Sequence, residues 1–118
     1  MDLMDLLIER KKQNEKYFLK PVLYTGMIKK RAEELFGKNI RTFLFGSIVK
    51  GNFTPLSDID VLVVAPGVKP VLNSDKMNKI VYMKKDFEID APFSIILCNE
   101  KQYEDWFHPF ILDKYTEV

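Results

Sequence analysis

A chain of 118 residues, 47% hydrophobic and 30% charged, has ordinary globular composition, which suggests neither a disordered chain nor a membrane protein. Its length fits a single domain spanning 1–118, with one core. A net charge of +1, and basic residues between 10 and 20 that match no recognition spacing, give no reason to expect nucleic acid as a partner.

No apolar run approaches the length of a bilayer span, and the opening MDLMDLLIERKK carries acids where a signal peptide carries bases. A cytoplasmic protein is expected. Cys98 is the single cysteine, without a Cys or His cluster beside it, which fits core filling in a reducing compartment and argues against structural zinc. Charge is lopsided along the chain. Residues 1–31 hold eight Lys/Arg against four Asp/Glu, and residues 84–118 hold four against eight. Such asymmetry serves solubility or guides an anionic ligand or partner.

In chain order, Leu3, Leu6 and Leu7 form a stripe that predicts a short amphipathic helix over 3–12, within an N-terminal helical segment of about 1–20 that precedes the core. Pro21 opens and Gly37 stops a second helix over 21–36, with Tyr24, Met27, Ile28, Ala32, Leu35 and Phe36 at helical spacing. IRTFLF predicts a strand over 40–45, ended by Gly46-Ser47. A polar loop with Gly51 and Pro55 leads to SDIDVLVV, a second strand that APGVKP closes. Residues 71–84 suggest a helix, PFSIILC a third strand, and NEKQYEDWF a closing helix capped by Asn99. Tyr103, Trp106 and Phe107 read as the buried edge of that helix, and His108 as a surface or packing residue. Residues 108–118 are too mixed to assign. The expected fold is α/β of the α+β kind, one small sheet with flanking helices.

Aspartate is depleted in strands and costly to bury ionised, so Asp58 and Asp60 within SDIDVLVV require an explanation. Alternation puts both on one face of the strand, with Cα atoms about 6.5–7 Å apart, close enough to converge on a shared divalent cation. Gly46 allows close backbone approach after the first strand, Ser47 adds a hydroxyl donor, and Lys50 can offset phosphate charge. Alone, each motif is an ordinary turn or a pair of solvated acids. Together they describe a site for a metal-bound triphosphate.

The run FGSIVKGNFTPLSDIDVLVV resembles the signature of the DNA polymerase β-like nucleotidyltransferase superfamily, especially its minimal nucleotidyltransferase branch. Gly46-Ser47, ten intervening residues, then Asp58-Ile59-Asp60 carry the resemblance, with Ser57 as the small residue before the first acid and Gly51 in the loop. Lys50 stands where many relatives carry Arg. The resemblance implies a small mixed sheet in the polymerase β-like nucleotidyltransferase fold. It also implies two Mg²⁺ ions on the Asp pair, and phosphates held by Gly46 and Ser47. A third carboxylate on the neighbouring strand is further implied, with Asp90 as first candidate and Glu88 as second. The position deeper in that strand where relatives often carry an acid is Ser94.

By the same resemblance the activity is transfer of a nucleoside monophosphate, AMP from ATP in first place, to an acceptor hydroxyl. The implied partner is a helical HEPN-type toxin, with this chain as antitoxin, and a homodimer is compatible with the family. The alternative is a non-catalytic NTP- and metal-binding module that neutralises a partner by contact.

Overall fold

The computed structural model describes residues 2–54, 57–68, 91–111 and 114–118. The helix expected over 71–84, and the acids Glu88 and Asp90, lie outside the described residues.

Helix α1 runs Leu3–Leu19, longer than the stripe at its start suggested. Asp2 caps it in a reciprocal capping box with Asp5, whose N–H donates to the Asp2 carboxylate at 2.8 Å. No Gly or Pro interrupts residues 3–19, so the helix continues until Lys20, which precedes proline and leaves the helical region. Its buried residues are Asn14 and Tyr17 rather than the leucines near its start. Pro21 then occupies the first turn of α2, Pro21–Phe36, and Gly37 ends it at φ 94°, as its sequence predicts. Thr25, Ile28 and Ala32 are its buried residues.

Among the described residues, four strands form one mixed sheet in the order β3-β2-β1-β4. Strand β1, Arg41–Phe45, pairs antiparallel with β2, Ile59–Val64, and β2 pairs parallel with β3, Phe93–Cys98. Strand β4, Tyr115–Glu117, pairs antiparallel with the other edge of β1, within the stretch that the sequence left unassigned. A bidentate pair fastens it, with Arg41 Nε and Nη2 donating to the Glu117 carboxylate at 3.0 and 2.8 Å.

Alternation along β2 explains why IDVLVV is apolar apart from Asp60, since the sheet is covered on both faces. Ile59, Val61 and Val63 point to one core with Leu44, Phe93, Tyr17, Ile28 and Ala32. There Tyr17 meets Phe93 and Tyr24 edge-on, at 5.4 and 4.8 Å between ring centroids. Leu62 and Val64 point to a second core with Phe43, Phe45, Cys98 and Tyr103. Burial there pushes the Cys98 thiol up to about 12, as a core-filling cysteine requires.

Asn99 caps the closing helix α4 in a second capping box, and its side-chain amide also donates to the Val68 carbonyl at 2.9 Å. After Glu100–Gln102 the helix takes a wider π-type pattern over Tyr103–Ile111. Tyr103 is buried and Phe107 packs beside it, but Trp106 is 65% exposed, so the expected buried edge holds for two of its three aromatics. His108 is exposed and meets the Tyr103 ring edge-on. No helix among the described residues is long and apolar enough to cross a membrane.

Candidate active site

The end of β1 and the start of β2 meet because the two strands are antiparallel, with Phe45 opposite Asp60. Gly46 therefore lies beside the Asp60 carboxylate. It has φ 81° and ψ −155°, a region essentially confined to glycine, and a Cβ built there would overlap Asp60 Oδ2. Only a residue without a side chain lets the backbone and the carboxylate share this corner.

The segment after Gly46 is one helical turn, α3, Ser47–Lys50, where the sequence suggested a polar loop. Ile48 and Val49 explain it, since both pack against the first core, and Gly46 and Gly51 bracket the turn at positive φ. The first N–H groups of a helical turn have no partner within it, so the backbone after Gly46 offers donors to an anion beside the Ser47 hydroxyl. Lys50 occupies an exposed position at the end of the same turn.

Asp58 lies one residue before β2 and is exposed, so the strand expected to carry both acids carries only Asp60. The loop before it is fastened by Thr54 and Ser57, each N–H donating to the other residue, to the Ser57 hydroxyl at 2.8 Å and the Thr54 carbonyl at 3.0 Å. This clasp was not foreseen, although Thr and Ser three apart beside Pro55 form a recognisable turn pattern. Asp60 is half-buried. Desolvation, then the nearby charge of Asp58, raise its pKa above the usual carboxylate range.

That shift means the folded chain resists ionising Asp60. The cost is absent well below pH 3.8 and complete once the pH exceeds the raised value in the fold. Asp60→Asn is therefore expected to raise the Tm of the metal-free protein at pH 7, with a gain that vanishes on acidification below pH 3.8. Thermal scans at both pH values check it.

A glycine that admits an adjacent carboxylate, a donor-bearing turn and a mutually repelling acid pair thus meet in one corner, with donors for an anion and oxygen ligands for a cation. The nucleotidyltransferase domain family matches residues 26–117 of the chain. The chain belongs to that family. Nucleotidyl transfer is accordingly its general chemistry. A crystal structure of a Sulfolobus solfataricus protein, itself assigned as a nucleotidyltransferase by inference, is similar over 83% of this chain and 78% of its own, at TM-score 0.50 and 23% identity. That likeness supports the fold alone. Among curated proteins, none matches this chain.

The resemblance implies a third acid on the strand next to the Asp pair. In this member the parallel β2–β3 register sets Ser94 directly opposite Asp60. The Ile59 N–H donates to the Pro92 carbonyl at 2.6 Å, so β3 begins with Phe93, beyond the proline. Among the described residues no cluster of three metal-ligating side chains occurs, and Asp58 and Asp60 stand as a pair.

Proposed function

We propose that this nucleotidyltransferase moves AMP from ATP to an acceptor hydroxyl and releases pyrophosphate. The observation that carries the reading is the corner where Gly46 yields its side-chain space to Asp60. Asp58 and Asp60 fit Mg²⁺, as hard oxygen donors whose mutual repulsion and desolvation a divalent ion would relieve. Bound there, Mg²⁺ supplies neutralisation of the charge that gathers on the departing pyrophosphate. Gly46 and Ser47 hold the outer phosphates through backbone and hydroxyl donors, and Lys50 offsets their charge.

In the step itself, the acceptor oxygen bonds to the α-phosphorus while the bond from that phosphorus to the pyrophosphate oxygen breaks. The acceptor proton passes to a carboxylate. We assign that carboxylate to Asp90, with Glu88 as the second candidate, as the resemblance to the superfamily implies. Asp90→Asn is expected to slow transfer by about 10²-fold. An unchanged rate would remove Asp90 from the site.

The acceptor in this reading belongs to a helical HEPN-type toxin that the chain neutralises in the cytoplasm, the partner that the minimal branch of the superfamily implies. Ser94 at the place beside Asp60 favours one rival, a module that binds NTP and metal and neutralises its partner by contact. Co-expression with such a partner and α-labelled ATP separates the two. Transfer of label that Asp58→Ala with Asp60→Ala abolishes supports the enzyme. Equal neutralisation by the double variant supports the contact module.

A further inference from the structure

Of the two acids at the site, only Asp60 is fixed by the sheet. Its backbone stands opposite Phe45 of β1 and Ser94 of β3, whereas Asp58 precedes β2 and lies outside both ladders. What is fixed is its neighbours in the chain. On one side the Ile59 N–H donates to the Pro92 carbonyl at 2.6 Å. On the other, the Thr54 N–H donates to the Ser57 hydroxyl at 2.8 Å, the Ser57 N–H donates to the Thr54 carbonyl at 3.0 Å, and the two hydroxyls lie 3.3 Å apart. This clasp therefore sets where the chain presents Asp58.

The clasp is tied in turn to a helix. Phe53, directly before Thr54, lies flat against Phe18 of α1, with ring centroids 5.2 Å and planes 2° apart. Lys11, Glu15 and Leu19 of the same helix surround Phe53 and Thr54. Phe18 packs against the first core, to which Phe53 itself does not belong among the described residues, so the Phe18 ring links this loop to the body. Helix α1 ends at Leu19, and the match to the family's domain begins at residue 26. The anchor thus comes from a part of the chain outside that match.

We propose that Phe53 and Ser57 are positioning residues for Asp58, anchored by α1: the Phe18–Phe53 stack holds the clasp, and the clasp aims the Asp58 carboxylate at the place it shares with Asp60. This rests on the reading of Asp58 and Asp60 as a Mg²⁺ site, and adds how the acid outside the sheet is held. Neither Phe53 nor Ser57 is a ligand in this scheme. Two carboxylates bind one ion well only if both are in place before it arrives, and groups that orient a ligand account for about 10–100-fold in metal affinity.

Two measurements on the full chain test this, and the first needs no metal. In Phe53→Ala, hydrogen exchange at the Thr54 and Ser57 amides should quicken at least about tenfold, with the Leu62 and Val63 amides of β2 unchanged. The second is Mg²⁺ titration calorimetry with a non-hydrolysable ATP analogue, at a temperature where circular dichroism shows every variant folded. Ser57→Ala and Phe53→Ala should each weaken uptake by about tenfold or more, and Ser57→Thr and Phe53→Tyr, which keep the hydroxyl and the ring, should restore it. Uptake by either alanine variant equal to that of the wild-type chain, or exchange at Thr54 and Ser57 indifferent to Phe53→Ala, would overturn the positioning role and leave the metal site standing. No uptake by the wild-type chain would overturn the role together with the reading it rests on.

Discussion

Replacing Asp58 and Asp60 together by Ala is expected to lower nucleotidyl transfer by at least about 10³-fold while the chain stays folded. Both halves of that expectation come from the same corner. Asp58 is exposed and Asp60 half-buried, and neither belongs to a hydrophobic core cluster. The charge that Asp60 carries is disfavoured by desolvation and by Asp58, so its removal relieves the fold. What is lost is the only pair of hard oxygen ligands that the described residues place beside the Gly46 turn. Single-turnover transfer from α-labelled ATP measures the first half, and thermal unfolding the second. A variant that is fully active, or one that is inactive because it is unfolded, would each contradict the expectation.

Gly46→Ala is the second large effect, and it strikes both stability and activity. The backbone there lies in a region essentially confined to glycine, which costs a side-chain-bearing residue about 1–3 kcal/mol. The new Cβ would also overlap the Asp60 carboxylate, so the acid or the turn must move. A Tm loss of about 4 °C or more is expected for a domain of this size. Transfer should fall by about 10²-fold even well below the new Tm, since a displacement near 1 Å suffices for that. Gly51→Ala separates strain from site geometry. Gly51 also has positive φ, at 82°, but a Cβ there meets open space. It should cost stability of about 1 kcal/mol and leave transfer near its original rate. Equal activity losses at the two glycines would mean that Gly46 matters for the backbone alone.

The parts of this fold that were legible in the sequence are those specified by neighbours in the chain. Pro21 and Gly37 bound α2 because each acts within its own turn, and Asn99 caps α4 for the same reason. The apolar runs of β1, β2 and β3 are long enough to declare themselves. Strand β4 is three exposed residues, too short for any periodicity, and it is a strand because β1 offers an unpaired edge and Arg41 holds Glu117. The turn at Ser47–Lys50 was hidden by its flanking glycines, which read as loop until Ile48 and Val49 are seen packed on the core.

At the site, the pairing of Gly46 with the acids was readable as a motif, but its cause was not. The contact depends on the antiparallel register of β1 with β2, which puts Phe45 opposite Asp60. The neighbour of Asp60 on the far side depends likewise on the β2–β3 register, a relation between segments more than thirty residues apart. No local pattern announces that Ser94 occupies that place. The helix at the start of the chain was half legible: Leu3, Leu6 and Leu7 predict an amphipathic helix, but only the position of Tyr17 shows that the core takes its other end.

Titration calorimetry of Mg²⁺, with Mn²⁺ in parallel, into the protein with a non-hydrolysable ATP analogue tests the central claim most directly. The account predicts saturable uptake by the wild-type chain and its disappearance in Asp58→Ala with Asp60→Ala. No uptake by the wild-type chain, or equal uptake by the double variant, would contradict it.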